Sequence, residues 1–276
     1  MITEYPHIIK SQKVINPTKK DARIIRNKSI RKIKRNGAFD FKNFIVKKPW
    51  GYEYLCGKNK KVEIWELHIK PTSSTSLHCH PQKDTLNIVI QGDIILETLS
   101  SRNVLHPGDF RIIKAGLAHK TINKDRVFYS RVLELESPPN KYNLIRIQDD
   151  YGREGDGYLQ FNKTLLRKKI GVQKYQCLEQ NDCRKDIIKR KKFIPENGVG
   201  QRMIKIEELI ISSKKNVMNK TLQEYTKIFE NMFILHGSLV VKDNRKVIKL
   251  NPGTYIKNRS IHQFNWSTKK LNMLLW

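Results

Sequence analysis

Short stretches of alternating apolar and polar residues run along the chain from Phe39 onward. The clearest stretch, 61–70, reads Lys-Val-Glu-Ile-Trp-Glu-Leu-His-Ile-Lys, and this period of two is typical of a β-strand with one buried face. Similar apolar runs follow at 88–90, 94–96, 109–113 and 127–129. Gly, Pro and Asn residues separate these runs and no βαβ rhythm is visible, so the pattern predicts an all-β sandwich or barrel.

A basic segment precedes the first predicted strand. Residues 1–37 contain eleven lysines and arginines against two acidic residues. Four isoleucines are spaced to share one face of a short amphipathic helix: Ile24, Ile25, Ile30 and Ile33. The high charge favours a different interpretation, in which the segment is a solvated extension that packs only loosely on the barrel.

Three histidines have the spacing of an open metal site. His78 and His80 are separated by one residue, so in an extended strand both side chains point to the same face while Cys79 points to the other. His119 lies on a later predicted strand, and it would complete a set of three imidazole ligands for a divalent ion. Zinc, iron, manganese and nickel all suit such a set, and the sequence does not choose among them.

The residues around these histidines resemble the two motifs of the cupin family. The first motif is present in His78, His80 and Gly92. The second motif is present in Gly108, Gly116, His119 and Asn123. Two positions depart from the family, because Lys114 stands where the second motif has proline and Thr85 stands where the first has glutamate. The resemblance implies a double-stranded β-helix, or jelly roll, with the metal held by the three histidines.

The threonine at the glutamate position leaves the protein without an obvious carboxylate ligand. Three neutral imidazoles would not compensate the charge of a divalent ion, so the site should favour an anionic ligand. Asp84 is adjacent to Thr85, but one step along a strand turns a side chain to the opposite face, so Asp84 could take part only through a bulge. Glu97 or Glu134 could approach from another strand, and the sequence leaves this open.

An internal repeat predicts a second barrel. When Gly237 is placed on Gly92, a Pro-Gly pair falls sixteen residues later in both copies. At this offset Gln223 and Tyr225 occupy the positions of the paired histidines, and His262 matches the third only if two residues are deleted. The second copy is therefore predicted to be degenerate and to bind no metal. The predicted organisation is a bicupin with a basic N-terminal extension (1–37), an N-terminal barrel with the metal motifs (38–158), a basic connector (159–198) and a degenerate C-terminal barrel (199–276).

Two segments that flank the metal motifs narrow the resemblance. Lys-Pro-Trp-Gly-Tyr-Glu at 48–53 and Asp-Asp-Tyr-Gly-Arg at 149–153 are not part of the general cupin pattern. Together they resemble the cupin domain of type II mannose-6-phosphate isomerases and related sugar-phosphate cupins, over about residues 42–158. The resemblance implies an aldose–ketose isomerisation in activated-sugar or surface-polysaccharide metabolism, in which the metal polarises a carbonyl and a base moves a proton between adjacent carbons.

A sugar or sugar phosphate is thus the predicted ligand, and its phosphate requires fixed cations. Four basic residues near the motif ends are the predicted substrate-binding residues: Lys83, Arg111, Lys114 and Lys120. No general base is evident, so it stays open whether the barrel is an enzyme. The alternatives are a carbohydrate-binding bicupin without activity and a three-histidine, metal-dependent oxygenase.

The formal net charge of +28 raises the question of a polyanionic partner. Lysine doublets are spread over the whole sequence and no aromatic-interleaved nucleic-acid motif appears, which favours a solvated basic surface over a nucleic-acid partner. A basic nucleic-acid-associated protein stays open as a third alternative. The sequence lacks an apolar run of membrane-spanning length, a signal peptide and a C-x-x-C pair. These features predict a soluble cytoplasmic protein with no membrane association, and a homodimer is one assembly that stays open.

Overall fold

The computed structural model describes residues 14–26, 40–42, 44–153, 162–165, 187–192, 207–218, 231–237, 239–243, 246–250, 254–257 and 265–275. The chain divides into two compact units. The first comprises Met1–Lys168 with Gly200–Met203, and the second comprises Lys169–Val199 with Ile204–Trp276. The finer domain boundaries that the sequence suggested stay a prediction.

The first unit consists almost entirely of short strands, as the alternating pattern predicted. Its elements are β1 (Val14–Ile15), α1 (Lys19–Arg26), β2 (Phe44–Lys48), β3 (Gly51–Lys58), β4 (Glu63–Ile69), β5 (Leu77–Cys79), β6 (Asp84–Gln91), β7 (Ile94–Thr98), β8 (Arg102–Leu105), β9 (Phe110–Ile113), β10 (His119–Asn123), β11 (Ser130–Ser137), β12 (Ile145–Gln148) and β13 (Asn162–Leu165). One sheet has the order β1-β9-β6-β11-β4-β3-β2-β13 and the other β12-β5-β10-β7-β8. The two sheets form the predicted double-stranded β-helix.

Side-chain alternation places one face of each strand in the barrel interior. Leu67 on β4, Val132 on β11 and Val89 on β6 lie in one row across the sheet, and all three are buried in the hydrophobic core. Directly opposed residues share a face of the sheet. The rows two and four residues further along β11 therefore also point inward. Besides Trp65 they carry polar side chains: Glu63, Thr85, Asn87, Glu134 and Glu136.

The N-terminal segment is built into the barrel, at least over 14–26. Val14 lies opposite Ile112 in a parallel pairing of β1 with β9. Helix α1 contains two of the four isoleucines that suggested a helix, and Asp21 within it is 1% exposed. The expectation of a loosely packed, solvated extension is therefore wrong for this part, because strand pairing and burial outweigh its basic composition. Ile30 and Ile33 lie outside the described residues.

The second unit also consists of strands: β14 (Ile187–Lys192), β15 (Glu207–Met218), β16 (Asn231–Gly237), β17 (Leu239–Asp243), β18 (Lys246–Leu250), β19 (Tyr255–Lys257) and β20 (Asn265–Leu275). Their sheet has the order β14-β15-β20-β16-β19, with β17 pairing to β18 and β20. A second strand-built unit is consistent with the predicted bicupin. Strands β13 and β14 lie in the segment that was predicted to be a connector. Gln223, Tyr225 and His262 lie outside the described residues, so the degenerate second site stays a prediction.

In the part of the chain that the structure describes, no helix has the length and apolar character that a membrane span requires. The predicted cytoplasmic location and homodimer stay predictions.

Candidate metal centre

The three predicted ligands come together inside the first barrel. His78 lies on β5 directly opposite His119, the first residue of β10. His80 follows β5 immediately. The ring centroid of His78 lies 4.5 Å from that of His119 and 5.0 Å from that of His80, and one potential ligand atom from each ring lies within 4.8 Å of the others. The one-residue spacing therefore brings the two rings together as predicted, although β5 ends at Cys79 and His80 lies just beyond it.

Backbone carbonyls orient all three imidazole rings. The Nδ1 atoms of His78, His80 and His119 lie 2.7 Å from Ser76 O, 2.7 Å from Asn143 O and 3.0 Å from Leu117 O, respectively. A carbonyl can only accept, so each Nδ1 carries the proton and each Nε2 keeps its lone pair. Carbonyl partners of this kind fix metal-binding histidines in many proteins.

The chemistry of this donor set fits a divalent ion. Burial lowers the pKa values of all three histidines, so the rings are neutral at pH 7. His119 Nε2 is buried and has no hydrogen-bond partner among the described residues. A buried nitrogen acceptor without a partner is unfavourable unless something binds it, and a metal ion would satisfy it. The barrel thus has the ligands of a metal site, whose metal the geometry does not identify.

Glu136 lies across from the position of the missing motif carboxylate and beside one of the three histidines. It lies on β11 directly opposite Thr85 on β6, and its Oε1 is 3.7 Å from His80 Nε2. Its other oxygen, Oε2, is 2.7 Å from the buried ammonium group of Lys83. Burial alone would raise the pKa of Glu136, but the Lys83 and Lys141 cations hold it well below its ordinary value, so the group is an anion.

Of the three carboxylates that the sequence suggested, Glu134 lines the cavity with His78 and His80, and the other two lie elsewhere. Asp84 points away from the histidines, and its carboxylate accepts hydrogen bonds from Lys114 Nζ and from the amide of Ala115. Glu97 forms an ion pair with Arg102 on the neighbouring strand. Glu136 was missed by sequence reasoning, since only the register of β6 against β11 brings it beside Thr85. The sequence did contain one signal for it. Glu134 and Glu136 are separated by one residue on β11, so their carboxylates point to the same face of the strand.

A cavity opens beside the histidines between the two sheets. Fourteen residues line it: Lys48, Trp50, Glu53, Leu67, Thr75, Ser76, His78, His80, Glu134, Glu136, Lys141, Leu144, Arg146 and Arg153. Its volume is about 50 Å³, enough for about four water molecules. The cavity is open on one side, so a ligand could extend beyond it.

Comparison with known proteins agrees with this geometry. Residues 65–134 match the family model described as "Cupin domain". This segment has the cupin fold, a double-stranded β-helix. It contains His78, His80 and His119, so the three candidate ligands lie within the matched part of the chain, and Glu136 lies two residues beyond it. No curated protein sequence matches the chain.

Solved structures of other proteins are similar over most of the chain. A formate complex of oxalate decarboxylase from Lactobacillus farciminis has a TM-score of 0.50 at 12% identity, over 86% of this chain and 84% of its own. A putative glyoxylate-induced protein from Pseudomonas aeruginosa has a TM-score of 0.50 at 10% identity, over 88% of this chain and 91% of its own. At such low identity the likeness shows the fold alone.

The cavity of the cupin barrel contains more fixed cations than its motifs suggested. Lys48 Nζ and Lys141 Nζ lie 3.5 and 3.3 Å from the same oxygen of Glu53, so one carboxylate faces two ammonium groups. Burial lowers the pKa of Lys48 to about 8. Burial also opposes charge on Lys141, but Glu53 and three further glutamates raise its pKa above its ordinary value. Arg146 lies directly opposite His78 on the neighbouring strand β12.

The four predicted substrate-binding cations lie in other surroundings. Lys83 is buried against Glu136 beside the histidines. Arg111 donates to Phe110 O over 2.7 Å, Lys114 pairs with Asp84 and Lys120 with Asp150. None of the four is among the residues that line the cavity. Lys114 lies five residues before His119 in the sequence. It nevertheless pairs with the outward-facing Asp84 and does not line the cavity.

Glu134 differs from the other cavity carboxylates. Glu53 and Glu136 form ion pairs with lysines, whereas the described residues give the Glu134 carboxylate no hydrogen bond or ion pair. It lies on β11 opposite Asn87 and is 5% exposed. Burial and repulsion from Glu136 raise its pKa to about 7. A carboxylate with this pKa exists in both protonation states near neutral pH, which suits a group that takes up and returns a proton.

The position of Glu136 leads to a prediction about metal affinity. We expect Glu136→Gln to weaken binding of Zn²⁺ or Mn²⁺ by about 10–100-fold, the loss typical for removal of a group that supports metal ligands. Thr85→Glu alone should not tighten binding, since two carboxylates would then oppose each other. The exchange Thr85→Glu with Glu136→Thr should restore affinity, because it returns one carboxylate to the site. Isothermal titration calorimetry measures all three.

A matched control for this experiment is Glu97→Gln, which removes a carboxylate from the partly exposed pair with Arg102. It should leave metal affinity unchanged. Native affinity in the Glu136→Gln protein would show that Glu136 does not support the metal site.

Proposed function

We propose that the cupin barrel is a divalent-metal-dependent isomerase that interconverts an aldose phosphate and a ketose phosphate. The observation that carries the proposal is Glu134. It is a buried carboxylate with no ion pair among the described residues, and it lines the same cavity as His78 and His80. A base of this kind beside a Lewis-acid site is what proton transfer next to a carbonyl requires.

The three histidines would hold the ion, with Glu136 beside them. A divalent ion supplies polarisation of the substrate carbonyl, which makes the neighbouring C–H group more acidic. Arg146 lies opposite His78 and lines the cavity. Its guanidinium group stays charged at any relevant pH, so it favours negative charge that develops on the substrate oxygens.

Glu134 then moves one proton between adjacent carbons. It takes the proton from the carbon that bears the hydroxyl group, and the electron pair of that C–H bond forms a double bond to the former carbonyl carbon. The carbonyl π bond breaks as its electron pair moves to the oxygen, and this oxygen takes a proton from solvent, which gives an enediol. The second oxygen returns a proton to solvent as it becomes the new carbonyl oxygen, and Glu134-H returns the first proton to the former carbonyl carbon. No proton is gained or lost overall, so the product is an isomer of the substrate.

The cations at the other side of the cavity support a phosphorylated substrate. Lys48 and Lys141 both lie beside the carboxylate of Glu53, and Arg146 and Arg153 line the same cavity. Trp50 also lines the cavity and offers an aromatic surface to a sugar ring. Together these groups can receive the phosphate and the carbon chain that extend beyond the cavity.

The test is turnover of a panel of sugar phosphates, including mannose 6-phosphate, by protein loaded with Zn²⁺, Fe²⁺, Mn²⁺ or Ni²⁺. In D₂O we expect deuterium from solvent at the carbon that receives the proton, because Glu134 exchanges its proton with water. NMR of the product detects this label. Absence of both turnover and deuterium exchange with every sugar phosphate would contradict the proposal.

A second candidate is metal-dependent chemistry on a small organic acid. The cavity volume of about 50 Å³ favours a substrate of few atoms, and one similar structure is that of an oxalate decarboxylase. Cleavage of oxalate with uptake of one proton gives formate and CO₂, so the same panel should include oxalate with CO₂ release as the measurement. Oxygen uptake in these assays would favour the three-histidine oxygenase.

A further inference from the structure

The N-terminal arm, residues 14–26, contains a buried carboxylate at Asp21. Thr18 and Asp21 cap helix α1 reciprocally. The amide and hydroxyl of Thr18 donate to Asp21 Oδ2 over 2.7 and 2.6 Å, and the amide of Asp21 donates to Thr18 Oγ1 over 3.3 Å. Helix capping therefore uses one carboxylate oxygen and leaves Oδ1 for another partner. Asp21 is 1% exposed, although caps of short helices are usually solvated.

The other carboxylate oxygen of Asp21 binds the turn that leads into the third metal ligand. Asp21 Oδ1 accepts a hydrogen bond from the amide of Ala118 over 2.9 Å. Ala118 directly precedes His119, and the carbonyl of Leu117 accepts the hydrogen bond from His119 Nδ1. Both contacts involve the peptide group between Leu117 and Ala118. Its N–H donates to Asp21, and its carbonyl orients the imidazole ring of His119.

Further contacts join the arm to the same turn. The amide of Lys114 donates to Ile15 O over 3.0 Å. Gly116 has a φ of +87°, and a Cβ atom there would lie 3.6 Å from Ile25 and 3.9 Å from Pro17. Side chains of the arm thus pack over the turn.

On the barrel side, the amide of Gly116 donates to His80 O over 2.8 Å. The turn therefore connects two of the metal ligands while the arm holds it from outside. Without the carboxylate of Asp21, the buried amide of Ala118 would lose its partner, and such a group is unfavourable until it finds another. The turn would shift, and His119 would shift with it.

We propose that Asp21 is a positioning residue for the metal ligand His119, so that the N-terminal arm completes the metal centre. This inference goes beyond the isomerase activity and rests only on metal binding by the three histidines. It also reverses an expectation from the sequence, in which the basic N-terminal segment is separate from the ligand site.

The experiment is titration of the full-length, metal-free protein with Co²⁺, whose visible absorption reports the number and geometry of its ligands. We expect Asp21→Ala to weaken Co²⁺ binding by about tenfold, the lower end of the effect of an outer-shell partner, and to change the absorption bands. Asp21→Asn keeps an oxygen acceptor for the Ala118 amide and should restore most of the affinity and the native spectrum.

Thr18→Ala is the matched control, because it weakens the same helix cap but leaves the contact between Asp21 Oδ1 and Ala118. It should lower the melting temperature of the metal-free protein while the Co²⁺ affinity and spectrum stay native. Native Co²⁺ affinity in Asp21→Ala would overturn the inference. Equal losses of affinity in Asp21→Ala and Thr18→Ala would also overturn it, since the effect would then follow helix stability alone. Neither result depends on isomerase turnover, so the two proposals can fail separately.

Discussion

Combined replacement of His78 and His80 by alanine should abolish metal binding by the protein. Two of the three imidazole ligands would be lost, and His119 alone cannot hold a divalent ion against water. We expect the metal content after equilibration with Zn²⁺ to fall from about one ion per chain to nearly none, as expected for a site with one nitrogen donor left. Inductively coupled plasma mass spectrometry of the dialysed protein measures this directly.

His106→Ala is the control for that experiment. His106 is exposed and pairs with Asp93 on the surface, so its loss should leave the metal content unchanged. The same measurement tests whether the C-terminal unit binds no metal, as its sequence predicts. A full equivalent of metal in the doubly substituted protein would place the ion elsewhere in the chain.

Glu134→Gln should produce the second large effect, on catalysis instead of metal binding. Glutamine has nearly the same shape as glutamate but cannot accept and return a proton, so kcat for sugar-phosphate isomerisation should fall by about 10²–10⁴-fold. The metal content should stay native, because the described residues place Glu136 and not Glu134 next to His80. Metal analysis and turnover on the same samples separate the two roles.

The pH dependence gives an independent measurement of the same group. Proton abstraction requires the ionised form of Glu134, so kcat/KM should rise with pH through the pKa of this group, which burial raises to about 7 in the metal-free protein. A bound divalent ion favours the anion and should move this limb to lower pH. Below the pKa the activity should be lost, and the limb should be absent from the residual activity of Glu134→Gln.

Glu97→Gln is a suitable comparison, because Glu97 is a strand carboxylate of the same barrel that does not line the cavity. Its kcat and pH profile should be native. If Glu134→Gln retained native turnover, proton transfer would have to use another group, and the proposed mechanism would be wrong.

The sequence alone determined the fold class and the imidazole ligands of the first barrel. A period of two reports which face of a strand is buried, and His-x-His on such a strand places two rings on one face without reference to the rest of the chain. The glycines around His119 are equally local, since turns depend on the backbone freedom of single residues. These features were predictable because each depends on neighbouring residues.

The register between distant strands decided the rest of the site. Glu136 lies opposite Thr85 although 51 positions separate them in the sequence, and a slip of one residue would have turned Glu136 outward. The same register places Glu134 in the cavity. Lys48 and Lys141 approach Glu53 from different elements, and nothing in their sequence surroundings distinguishes them from the other lysines of this basic chain.

The N-terminal arm shows the same limit most clearly. Its composition indicated a solvated segment, because Asp21 is one acidic residue among many lysines and arginines. Folding places this carboxylate 2.9 Å from the amide of Ala118, 97 positions further along the chain. Local composition therefore determined the charge of the arm. Only the tertiary structure decided that its one buried carboxylate faces the turn of a metal ligand, since that contact depends on how β1 and α1 pack against the barrel.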